Sequence, residues 1–76
     1  MPMSYSFSVI LEPQPDGGFT VLVPAPPEVV TEGDTDGQAL LNAEEAIRAI
    51  LEYRRAQGLT IPPDALPEIR RVTVAA

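Results

Sequence analysis

One amphipathic stretch sets the terms for the whole chain. From Asp36 to about Gln57, residues Ala39, Leu40, Ala43, Ala46, Ile47, Ile50, Leu51 and Tyr53 recur at helical spacing. Glu44, Arg48, Glu52 and Arg55 form an opposite stripe of alternating charge. A helix of this length spans ~33 Å at ~1.5 Å per residue. Both ends are marked. Thr35 and Gln38 fit a capping box, in which the hydroxyl accepts from the N3 amide and the Gln side chain reaches back. Asp36 suits the positive end of the helix dipole, and Gly58 supplies a left-handed stop. Such a helix cannot bury its own stripe. It needs a flat partner, and its last turn is expected to overhang or to pack on another subunit.

The partner is upstream. Residues 5–12 alternate at period two, with Tyr5, Phe7, Val9 and Leu11 on one face and Ser6, Ser8, Ile10 and Glu12 on the other. Pro13-Gln14-Pro15-Asp16-Gly17-Gly18 breaks the run with turn-forming dipeptides. Phe19, Val21 and Val23 then face one way in a second run, so the pair reads as an antiparallel hairpin. Pro24-Ala25-Pro26-Pro27 cannot donate a ladder of hydrogen bonds and reads as a connector. Glu28–Glu32 reads as a short third strand ended by Gly33-Asp34. Beyond the helix, Gly58–Pro67 reads as loop anchored at Ile61, and Glu68–Val74 as a last strand with Val72 and Val74 on one face. The expectation is an α+β fold of β-β-β-α-β order, in which the helix is the crossover to the last strand. One small sheet carries one long helix on one face. Residues 1–76 form a single domain.

Composition narrows the function. Five arginines face eleven carboxylates, for a formal net charge of −6, and the chain has no Lys, His, Cys or Trp. No imidazole is available as a base near neutral pH. No thiol or lysine nucleophile exists. The Cys- and His-based zinc sites are impossible. An acidic domain is a poor direct ligand for nucleic acid, which calls for clustered cations. No segment approaches a membrane span. Met1-Pro2-Met3-Ser4 has no signal-peptide character, so a cytoplasmic location is expected.

The carboxylates are the remaining candidates for chemistry. Glu12, Asp16, Glu32, Asp34 and Asp36 follow strands or precede the helix, and they read as turn and cap residues. A magnesium nuclease using Glu12, Glu32 and Asp34 ranks as a third hypothesis. Asp34-Thr35-Asp36-Gly37 begins like a calcium loop, yet Ala39 stands where that loop requires glycine. Ser4, Ser6 and Ser8 lack a base. Arg70-Arg71 reads as a salt-bridging pair on a strand. No catalytic residue, metal site or cofactor is expected. Small size and the second sheet face, which carries Ile10 and Leu22, point to a homo-oligomer.

The ordered motifs resemble a known family. Val23-Pro24-x-x-Pro27 follows the hairpin. Thr31-x-Gly33-x-Thr35 comes next, then the helical Asn42-Ala43-x-Glu45-Ala46-Ile47, then Gly58 and Ile61-Pro62. This arrangement, over about residues 5–63, resembles the N-terminal domain of HicB-type antitoxins and the short stand-alone HicB-like proteins. Pro26 and Glu28 stand where the family usually has a glycine and often a leucine. The resemblance implies a partial ribonuclease-H-like fold. It implies a non-catalytic antitoxin that binds and masks a small basic mRNA-cleaving toxin of the HicA-like kind, and assembly as a dimer or tetramer. Full-length HicB antitoxins also carry a C-terminal DNA-binding segment. Only a strand follows the loop here, so direct DNA binding is not expected. The acidic surface fits a basic partner, with Glu28, Glu32, Asp34 and Asp36 as the candidate contact residues. The alternative is an orphan self-assembling structural or regulatory protein with no toxin partner.

Overall fold

The computed structural model describes residues 4–76; Met1, Pro2 and Met3, the start that the sequence reads as lacking a signal, lie outside the described residues. Three short strands and one helix follow in order: β1 (Ile10–Pro13), β2 (Phe19–Leu22), β3 (Val30–Gly33) and α1 (Asp36–Ala56). The sheet is antiparallel throughout, with β2 between β1 and β3. Its α+β class agrees with the sequence reading.

The hairpin forms where the sequence placed it. Gly17 and Gly18 both adopt positive φ, the Gly17 N–H donates to the Gln14 carbonyl, and the Gln14 N–H donates to the Gly18 carbonyl. The register sets Leu11 opposite Val21 and Pro13 opposite Phe19, while Val21 meets Thr31 and Phe19 meets Gly33. These rows face the helix. Val21, Val23, Val29, Ala39 and Ala43 make the buried core, and Val9, Leu11, Phe19, Ala46, Ile47 and Ile50 pack around it. The opposite face carries the row Ile10–Leu22–Val30 beside the row Glu12–Thr20–Glu32.

The helix keeps its expected limits. The Thr35 hydroxyl accepts from the Gln38 N–H at 3.0 Å. The reciprocal half of the capping box is absent, because the Gln38 side-chain amide donates to Asn42 one turn ahead. At the other end Gly58 has φ +70°, and the Leu59 N–H donates to the Arg54 carbonyl. The helix lies over β3 and β2. Asn42 secures this placement, its amide donating to the Glu32 carbonyl at 2.7 Å. The apolar stripe is therefore wider than the surface that covers it: Leu40 is 46% and Tyr53 60% exposed.

Three strand expectations need correction. The first strand, expected over 5–12, pairs only from Ile10, because β2 gives way to Pro24, Pro26 and Pro27, which lack the donors to extend the ladder. The third strand is shifted to Val30–Gly33, since Val29 turns into the core and its N–H donates to the Pro26 carbonyl. The last strand, expected over Glu68–Val74, does not form. Residues 59–76 take no regular structure, and Ile69, Val72 and Val74 are exposed. Alternation is present there, but no sheet edge of the same chain runs alongside it, and a strand without a partner has no ladder.

Candidate functional site

The four carboxylates singled out from the sequence do not share one surface. Glu28 sits at the C-terminal end of the helix, where Arg54 donates to its carboxylate. Asp36 begins the helix, ~30 Å away along the axis at ~1.5 Å per residue. Its carboxylate accepts from the Gly37 N–H at 2.7 Å and is occupied as a cap. Glu28 is thus partly neutralised by a cation. Its own backbone amide, and then the Arg54 guanidinium, hold its carboxyl below the ordinary glutamate value.

Glu32 and Asp34 are brought together with a residue the sequence did not assign to a site. The Gly17-Gly18 turn swings Asp16 toward the β3–α1 junction. Asp16, Glu32 and Asp34 line a concavity of about 540 Å³ with Gln38 and Asn42, and no arginine lies on its wall. The positions follow from local structure. Thr20 and Glu32 are cross-strand partners, and Gln14 donates to the Thr20 hydroxyl at 3.0 Å, which pins the hairpin loop over the sheet. Asp34 precedes the Thr35 cap. The signal for Asp16 was the turn itself, which folds Asp16 back only once the register is known.

This arrangement presents negative charge without compensation. Among the described residues, no group of three or more carboxylates is gathered closely enough to hold a metal ion. The concavity can act on a cation by long-range attraction, while the Gln38 and Asn42 amides on its wall are tied to each other and to the Glu32 carbonyl. Among the described residues, no helix is long and apolar enough to cross a membrane.

Comparison with known proteins places the chain. It is 41% identical over 63 residues to the UPF0150 protein Ta0767 of Thermoplasma acidophilum, a match covering 83% of this chain and 91% of that protein. The chain belongs to the UPF0150 family. A second UPF0150 relative, the protein ssr1765 of Synechocystis sp., is 32% identical over 62 residues, 82% of this chain and 78% of its own length. No family model and no solved structure matches the chain.

Proposed function

We propose that this UPF0150 domain is a HicB-like antitoxin: a non-catalytic module that binds a small basic mRNA-cleaving toxin and masks its active site. The concavity lined by Asp16, Glu32 and Asp34 carries this reading, because its charge is uncompensated by any arginine on its wall. A basic ribonuclease surface is the complement to such a site, and opposite potentials raise the encounter rate and fix the orientation. Masking needs no catalytic group, which suits a chain with no His, Cys or Lys. The motif order from Val23-Pro24 to Ile61-Pro62 supports the same assignment. Glu32 and Asp34 remain contact residues in this proposal, Asp16 joins them, and Glu28 and Asp36 serve the fold.

The test is co-expression with the product of a short basic reading frame beside this gene. Co-purification, with loss of mRNA cleavage in the complex, is the expected result. A neighbouring basic ribonuclease that is neither bound nor neutralised would defeat the reading.

A further inference from the structure

The segment after the helix carries apolar side chains that nothing among the described residues covers. Leu66 is 83% exposed, Ile69 95%, Val72 83% and Val74 78%. Their root is fixed. The Ser8 N–H and hydroxyl donate to the two carboxylate oxygens of Asp64 at 2.7 and 3.0 Å. Beyond this clamp the chain leaves the body. The radius of gyration is 14.8 Å and the long axis 52 Å, against ~11 Å expected for the radius of a compact domain of this length. The accessible surface is 6050 Å², about 1,500 Å² more than a compact chain of this mass exposes. A standard protein–protein interface buries ~800 Å² per partner, so the excess is ample for one.

The chain also holds a matching vacancy on its surface. The helix leans over β3 and β2 and leaves a groove of about 560 Å³ on the β1 side. Tyr5, Phe7 and Val9 form one wall, and Leu40, Ile47 and Leu51 the other. Residues 5–9 continue β1 upstream with no strand beside them. Seven extended residues span ~23 Å, enough for Glu68–Val74 to run the length of the ~17 Å helix wall from Leu40 to Leu51. The charges on the groove wall are balanced, Glu44 and Glu52 standing beside Arg48 and Arg55, and Arg70 is paired to Glu68, so it is length and exposed apolar surface that match the arm to the groove.

We infer that residues 66–74 are an exchange arm that adds as a strand to the β1 side of a second copy of this chain, filling that copy's groove. Main-chain hydrogen bonds to the open edge hold the arm, and Val72 and Val74, which share one face of it, enter between Tyr5-Phe7-Val9 and the helix. Each copy offers one arm and one groove, so two copies close around a two-fold axis. This interface does not depend on the toxin-masking reading.

The chain has no cysteine, so introduced thiols report the pairing without background. Chains carrying Ser6→Cys are mixed with chains carrying Arg71→Cys, Thr73→Cys or Ala75→Cys under oxidising conditions. At least one mixture is expected to yield a disulfide-linked heterodimer. Light scattering of the unmodified protein is expected to give twice the chain mass. Val72→Glu with Val74→Glu changes side chains that are exposed in the single chain, so helix content by circular dichroism stays constant while the mass falls to that of one chain. A monomeric mass for the unmodified protein would overturn the inference. So would failure of all three mixtures, a double-glutamate variant that stays dimeric, or a Ser6→Cys/Thr73→Cys double variant that closes its disulfide within one chain.

Discussion

Gly33 lies so close to Ala39 that a Cβ on Gly33 would stand 2.4 Å from the Ala39 amide nitrogen and 2.6 Å from its Cα. The last residue of the sheet and the first buried turn of the helix meet backbone to backbone. Neither side can swing away as a side chain could. Gly33→Ala is therefore expected to destabilise the fold by about 1–3 kcal/mol, the usual cost of overpacking. Urea unfolding followed by helix content checks this, and an unchanged midpoint would show that the junction has slack.

Thr35 tests the helix start. Its hydroxyl satisfies the Gln38 N–H, but Gln38 does not return the bond. Thr35→Ala should cost about 1 kcal/mol. Gln38→Ala should cost less at the cap, and its effect should disappear in an Asn42→Ala background. A double-mutant cycle on those two positions measures the coupling.

Glu28 gives the fold a pH dependence with a definite sign. Its carboxyl is held below the ordinary value in the folded chain, so the unfolded chain takes up the proton first as pH falls. The contacts that hold it down, its own backbone amide first and then Arg54, thus contribute fully above the ordinary glutamate range and are lost as pH drops through the depressed folded value. Carbon-detected NMR titration should find the Glu28 carboxyl titrating below a free glutamate. Arg54→Gln should move it up, and a midpoint that stays put would remove Arg54 as a cause.

The acidic concavity should act through charge. Glu32→Lys with Asp34→Lys is expected to slow association with a basic toxin and to flatten its salt dependence, with little effect on dissociation. Stopped-flow binding across salt concentrations separates the two rates. An equal loss in the Glu28→Lys variant would argue against the concavity as the contact site.

The Ser8–Asp64 clamp is visible to hydrogen exchange. The Ser8 amide should be protected in the unmodified chain and should exchange freely in Asp64→Ala, while amides of α1 keep their protection. Equal protection of Ser8 in both chains would mean that the clamp is not what shields it.

What the sequence revealed followed the range of each interaction. The helix was legible because its stripe, its Thr35 cap and its Gly58 stop are all local. The hairpin was legible from Asp16-Gly17-Gly18 between two alternating runs. Strand ends were not, because they depend on the partner: Pro24, Pro26 and Pro27 shorten β2 and thereby leave residues 5–9 unpaired. Val72 and Val74 show the alternation of a strand, yet alternation says nothing of which edge will receive it. At the site, Glu32 and Asp34 were readable as acidic neighbours in sequence. Asp16 joins them across the sheet. Glu28 is removed from them by Arg54, which lies 26 residues away.

The Asn42 amide on the Glu32 carbonyl bears on how the proposed pairing of two copies would end. A sheet open on both sides is a template for endless stacking. Here the helix takes up the Glu32 carbonyl on β3 through Asn42, whereas residues 5–9 beside β1 have neither such a contact with the helix nor a strand partner among the described residues. In the proposed exchange, one round of addition covers the β1 border of both copies, and the assembly closes as a pair rather than extending as a fibre.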